Sequence, residues 1–361
     1  QVRARPPERG DHVAPRTGVA EAPVVEKKLD TFGALVRHRN FRLYWSGALV
    51  SNVGTWMQTV AQAWLVYKLT GSAALLGTVG FVQAAPAIFL SLLGGVLADR
   101  VERRTLMLGT QTVAMWLAFL LSALTFMHVV RISHIIVIAF LAGTVNALNA
   151  PVRQGIISDL VPKDDLQNAV AVNSAQFQAS RLMGPALSGL VLAVFGPAWC
   201  FFINGVSFLA VIFSLLKLEL PERTTKRPGG SLLAQATEGI AYVAKDPVLG
   251  VLVLIAAIPA MFGMPYTTLM PVFAERILHV GPQGLGLLMS ATGLGSLCGA
   301  LLVASLTNYK ARGRLQRMAA IVFGGMLALF GLSHWMALSL LLLIVAGTAS
   351  MTYSSLNQTQ I

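Results

Sequence analysis

An all-α protein that crosses a membrane many times is what this sequence predicts, and three observations predict it. Hydrophobic residues fill 55% of the 361 positions and charged residues only 12%, about half the charged share of an ordinary soluble domain. The mean hydropathy is +0.68. The apolar residues gather into roughly ten runs, each near the ~20 residues that span a bilayer. Inside lipid each segment must satisfy its own backbone donors and acceptors, so each run is expected to be a helix. The short alternating segments of a β-barrel are missing. Buried helices of a large soluble protein would keep a polar face.

The runs fall in order. Residues 1–30 are rich in Arg, Pro, Glu and Val and hold no apolar core. They read as a flexible basic cytoplasmic arm, neither signal peptide nor span, and the arm is expected to reach residue 40. Residues 41–218 carry six runs: Phe41–Tyr67, Leu75–Ala98, Thr105–Val130, Ile135–Ile157, Ala169–Phe195 and Ala198–Leu218. Residues 219–247 form the longest polar connection, containing PERTTKRPGGS, and read as a cytoplasmic linker. Residues 248–361 carry four more: Leu249–Phe273, Gly284–Leu306, Met318–His334 and Met336–Ile361.

The net charge of +12 would suggest nucleic acid in a soluble protein, but its placement says otherwise. With the N-terminus inside, 23 of the 27 Lys and Arg residues fall on the cytoplasmic side. Lys68, Arg131 and Arg276 fall outside, and Arg181 lies within a span. The basic excess is therefore a topology signal, supported by anionic lipid. It calls for no nucleic-acid partner.

A shift of 204 residues lays FLAGT (Phe140–Thr144) on IVAGT (Ile344–Thr348). It also lays Gly77 on Gly281, Gly95 on Gly299 and Gln154 on Gln358. The register pairs span 2 with span 8 and span 4 with span 10, the mark of two repeated bundles. The expected plan is two pseudo-symmetric six-helix bundles, the second apparently truncated after its fourth span. The apolar ending at Ile361 is consistent with such a truncation.

Charge is concentrated in GGVLADRVERRTLML, between spans 2 and 3. Here the chain resembles the major facilitator superfamily, whose loop pattern is G-x-L-A-D-R-x-G-R-K-x-x-L. Gly95, Leu97, Ala98, Asp99, Arg100, Arg103 and Arg104 stand in register; Glu102 replaces a glycine and Met107 a leucine. The resemblance implies a latch that closes the cytoplasmic side in the outward-open state. Gly95 permits close helix approach, and Asp99 can accept charge-assisted hydrogen bonds at a helix end. The alternative is that Arg100, Arg103 and Arg104 only enforce topology. In the second half Val303 takes the place of Asp99.

Span 5 holds SRLMGPALSG, Ser180–Gly189. It resembles the superfamily's antiporter motif g-x-x-x-G-P-x-x-G-G at Gly184, Pro185 and Gly189, with Ser180 and Ser188 in place of two glycines. The resemblance implies export by antiport; an ordinary kinked span is the alternative. Two longer stretches, Phe41–Gly77 and Asn146–Gly189, resemble the branch holding enterobactin exporters and other transmembrane secretion effectors. That resemblance covers about residues 32–361. It implies efflux of a siderophore, drug or amphipathic metabolite at the bacterial inner membrane, the chain acting as a monomer. Protons are the candidate coupling ion.

Polar residues within spans are costly, so they line cavities or bridge helices. Asn52, Thr55, Thr59 and Gln62 share one face of span 1, with Gln58 beside it. Asn146, Asn149 and Arg153 share a face of span 4. Asn173, Gln176 and Ser180 share one on span 5, and Ser350, Ser354 and Asn357 one on span 10. Tyr266 is a weaker candidate on span 7. The resemblance implies that spans 1, 4, 7 and 10 line a central cavity. Arg181 lies near the centre of span 5, where it can bind an anion, act as a switch or bond to carbonyls. Its charge mildly favours an anionic substrate.

No Asp or Glu sits at the centre of a run, so proton coupling is implied by the resemblance alone; Asp99 and Glu275 at run ends are the nearest carboxylates. Cys200 and Cys298 read as packing residues. No nucleotide-binding loop, metal-spaced His/Cys cluster or nucleophile elbow appears. No catalytic residue, cofactor or metal is therefore expected, and no enzyme. Uptake, uncoupled diffusion, or a non-transporting sensor or inactive truncated transporter remain as alternatives.

Overall fold

The computed structural model describes residues 32–100, 102–218, 265–306 and 312–358, with the backbone alone at 88–89, 91–100, 265 and 358. The first 31 residues of the arm, the linker at 219–247 and the first part of the seventh run lie outside the described residues. So do the side chains of Asp99 and Arg100 within the charged motif.

Every described element is a helix. In chain order they are α1 (Gly33–Arg37), α2 (Arg39–Thr70), α3 (Ala73–Arg100), α4 (Arg103–Phe126), α5 (Ile132–Leu160), α6 (Lys163–Val194), α7 (Pro197–Leu216), α8 (Pro265–Val272), α9 (Gly281–Ser305), α10 (Arg312–Gly331) and α11 (Met336–Gln358). A π turn, Phe273–Ile277, continues α8. Among the described residues, α4, α5, α6, α7, α9 and α11 are long and apolar enough to cross a membrane. At 32 residues α2 is also long enough; its amides and hydroxyls set it apart from those six. α2 ends at Gly71, whose φ of +61° is a left-handed cap that suits glycine. α6 carries Asp164 and Asp165 in its first turn, where acids favour the helix dipole.

The internal repeat is visible as packing. α3 packs on α5 and α4 on α5; in the second half α9 packs on α11 and α10 on α11. Gly143 of α5 lies against the Gln83 carbonyl with no room for a Cβ, and Gly347, its partner in the 204-residue register, lies likewise against the Thr292 carbonyl. Small residues let membrane helices approach backbone to backbone. Large apolar side chains such as Trp116, Leu190, Val194 and Phe213 point outward, as a lipid-facing surface requires.

Two apolar cores hold the bundle. One joins α1, α4, α7, the first turns of α2 and α6 and the last turns of α5, all in the first half, with Phe41, Tyr44, Met107, Ile156 and Leu215 at its centre. The other crosses between the halves: Leu65, Val66, Leu76 and Ile135 pack with Met270, Leu285, Leu288 and Leu343. The first core lies at the end where α4 begins with Arg103 and Arg104, called here the basic end. The crossing core lies at the opposite end, where α2 finishes.

Residues 32–40, expected within the flexible arm, are folded onto the bundle. Ala34 N donates to Asn168 Oδ1 at 3.0 Å. Arg37 and His38 reach Asp165 at 3.0 and 2.8 Å. Asp165 belongs to the first turn of α6, and this acid in the sequence carried no hint of a partner so far upstream.

Candidate functional site

α2 is the spine of the site. Two chambers follow one another along it, of about 330 and 250 Å3. The larger lies toward the basic end and opens among α2, α3, α4, α5, α6 and α7, all of the first half. The smaller lies toward the far end, between the halves, where α2, α3 and α6 face Thr267, Thr268, Met289 and Thr292. Trp56, Thr59, Gln62, Gln83 and Phe177 border both.

Of the residues expected to line a cavity, Asn52, Thr55, Gln58, Asn146, Asn149 and Arg153 line the larger chamber. Thr59 and Gln62 line both, and Arg181 lines the smaller. Gln176 is buried behind the wall, 3.5 Å from the Asn52 amide, and its Nε2 has no hydrogen-bond partner among the described residues. Asn173 lines neither chamber. Tyr266 packs edge-on to Phe323 at 6.2 Å, with Arg181 and Thr292 as electrostatic neighbours. Asn357 accepts from Gln316 Nε2 at 3.2 Å; it bridges α10 and α11 and borders neither chamber.

Several lining residues escaped the sequence reading. Gln83, Gln111 and Asn204 stand on spans 2, 3 and 6. A single carboxamide within an apolar run was the available signal. Asn204 Nδ2 donates to Gln58 Oε1 at 2.6 Å, and Thr110 donates to Asn149 Oδ1 at 3.3 Å. Trp56 and Phe177 carried no signal, since an aromatic in a span reads as packing.

The aromatics organise the two arginines. Arg153 lies over the Phe177 ring at 5.7 Å and Arg181 over the Trp56 ring at 5.6 Å. The two rings meet edge to face at 6.1 Å. Pro185 has no N–H, so the carbonyl of Arg181, four residues earlier, lacks its intrahelical donor. Gly293 of α9 packs against that same carbonyl, where a Cβ would lie 2.6 Å away.

The glycines of the span 5 motif hold helices on both sides. A Cβ at Gly184 would lie 2.5 Å from Trp56 Cβ, so α6 meets α2 there. One at Gly189 would lie 3.0 Å from Gly286 Cα, so α6 meets α9 of the other half. α6 stays helical through Pro185.

Polar bonds between the halves sit at the far end and at mid-helix. Lys68 of α2 pairs with Glu275 at 2.5 Å, and Arg276 Nη2 donates to the Gly71 carbonyl at 3.0 Å. Gln178 of α6 reaches Met351 Sδ of α11 at 2.8 Å. In the charged motif, the described bonds stay within the first half. Arg103 Nη1 donates to Gly155 O at 2.6 Å and Asp159 Oδ2 at 3.0 Å. Arg104 donates to the carbonyls of Leu215 and Leu216 at 2.8 and 2.7 Å. Both therefore tie α4 to its neighbours at the end of the bundle.

Comparison with known proteins agrees with this architecture. The sequence profile of a family described as transmembrane secretion effector matches residues 31–361. The staphyloferrin A transporter of Staphylococcus aureus is 26% identical over 292 residues, 80% of this chain and 72% of the relative. The multidrug efflux pump of Mycolicibacterium fortuitum is 25% identical over 83% of this chain and 75% of its own. The enterobactin exporter of Shigella boydii is 25% identical over 91% and 78%. Among the first relatives matched, the chain spans 60% to 78% of their length. A bacterial homologue of the human lysosomal transporter Spinster, inward-facing and occupied, superposes with a TM-score of 0.68 at 16% identity, covering 88% of this chain and 73% of that one. The D-xylose–proton symporter superposes with a TM-score of 0.59, also at 16%, covering 89% and 79%.

Proposed function

Because the chain belongs to the transmembrane secretion effector family of major facilitator transporters, we propose that it exports a small organic molecule by alternating access, driven by proton antiport. The observation that carries this reading is the pair of polar chambers between and beside two halves that are clasped at one end. The far-end core crosses the halves, and Lys68–Glu275 and Arg276–Gly71 bond across them there. The basic end has its own core in the first half. The described conformation is thus the one closed at the far end.

The membrane is the bacterial inner membrane and the basic end its cytoplasmic face, in keeping with 23 of 27 basic residues on that side. On this orientation the chambers are loaded from the cytoplasm. Residues 41–218 and 248–361 are the two moving bodies, joined by the linker at 219–247. The export direction draws on the relatives named as exporters and efflux pumps and on Gly184, Pro185 and Gly189 between the halves. Asp99 and Arg100 form the latch that replaces the far-end clasp when the protein turns outward. Asp99 and Glu275 are the candidate coupling carboxylates, and Glu275 already pairs with Lys68 in the clasp.

Accumulation of three dyes in cells expressing the full chain tests the reading. Nile red is neutral, ethidium cationic and carboxyfluorescein anionic. Lowered accumulation of at least one, restored by a protonophore, is the expected result. Raised accumulation would show uptake, and no change with any dye would overturn transport.

A further inference from the structure

Arg153 and Arg181 lie in adjoining chambers, and among the described residues neither has a carboxylate or hydrogen-bond partner. Among the described residues, those lining either chamber include no Asp or Glu. Arg153 lies near the basic end of its span and Arg181 near the centre of its own, and a guanidinium at Arg181's depth is costly unless something of opposite charge or water meets it. Five other described arginines do find such partners: Arg37 and Arg103 have carboxylates, and Arg42, Arg104 and Arg276 have carbonyls. The two cavity arginines are held instead by aromatic faces, each 5.6–5.7 Å from a ring, with the rings themselves 6.1 Å apart. A ring face attracts a guanidinium without consuming its N–H donors. Those donors form a fork that fits a carboxylate with two parallel hydrogen bonds.

Resting on the transport reading above, we propose that the two chambers form one two-point site for a dianionic ligand, a dicarboxylate whose ends pair with Arg153 and Arg181. The body of the ligand crosses the Trp56–Phe177 pair, and Gln62 and Gln83, which border both chambers, donate to or accept from its polar groups. Arg181 also joins this site to the interface between halves, because its carbonyl packs on Gly293 of α9. A ligand that pulls on its side chain therefore pulls where the halves meet. Among the described residues the site holds two positive groups and no acid, a balance that disfavours cations.

The test uses the purified full chain in detergent and calorimetric titration with straight-chain α,ω-dicarboxylates from succinate to dodecanedioate, beside the matching monocarboxylates and diamides. Binding is expected to peak at one intermediate chain length, at least 10-fold tighter than the monocarboxylate of that length. Arg153→Gln or Arg181→Gln is expected to bring the dicarboxylate down to the monocarboxylate's affinity and to remove the length optimum. Lysine at either position is expected to restore part of the gain. Equal binding of dicarboxylates and diamides, or no dependence on length, would overturn the proposal. The dye experiment separates this failure from failure of the transport reading: efflux of Nile red with no dicarboxylate preference would leave export standing and remove the dianion site.

Discussion

Gly189 of α6 and Gly286 of α9 meet backbone to backbone across the two halves, so close that a Cβ on Gly189 would lie 3.0 Å from the Gly286 Cα. Gly184, five residues earlier on the same helix, makes a similar approach to α2 within its own half. α6 is thereby wedged between the cavity spine and the other half. Its conformation cannot change without moving one of them.

Gly189→Leu should drive α6 and α9 apart. Overpacking of this kind costs ~1–3 kcal/mol, so the thermal midpoint in detergent is expected to fall by several degrees and dye efflux to drop at least 10-fold. Gly77→Leu is the control, because a Cβ there meets nothing within 4 Å. Efflux and midpoint are expected to stay as in the parent.

The far-end clasp should respond to charge. Lys68 and Glu275 are partly exposed, at 49% and 33%, so their ion pair is worth at most ~1 kcal/mol. Glu275→Gln is expected to raise the population open at that end by up to about fivefold, read as a shift in spin-label distances across it. Lys68→Glu with Glu275→Lys should return the parental distribution; a double swap that behaves like either single reversal would mean the pair does not form.

Arg103 should matter for stability more than for gating. It braces α4 to α5 through Gly155 O and Asp159, whose side chain is only 10% exposed. Arg103→Gln removes the charged donor that joins Asp159 to α4, at a cost of ~1–3 kcal/mol. The thermal midpoint is expected to fall while the spin-label distances at the far end stay unchanged.

Asp99→Asn separates latch from topology. Insertion and expression are expected to be normal and efflux lost, with the far end trapped closed. Retained efflux would leave the motif with no role beyond orientation.

How much of this was legible beforehand depended on the kind of signal. Helix positions follow from hydropathy, and the repeat found at a 204-residue shift reappears as α3 on α5 and α9 on α11, with Gly143 and Gly347 each at a close approach. Amides sharing one face of α2 could be assigned to a cavity from spacing alone. Asn357 could not be separated from them, because an amide that bridges two helices and one that lines a chamber share the same periodicity. Trp56 and Phe177 were invisible, since their role depends on which helices stand opposite. Residues 32–40 looked like arm because their partners, Asp165 and Asn168, lie more than 120 positions away.

Carboxyfluorescein loaded into cells as its diacetate ester tests alternating-access export most directly. Cells expressing the parent chain are expected to lose the dye faster than cells expressing Gly189→Leu, and a protonophore should abolish the difference. Equal loss from the two, repeated with Nile red and ethidium, or slower loss from the parent, would contradict it.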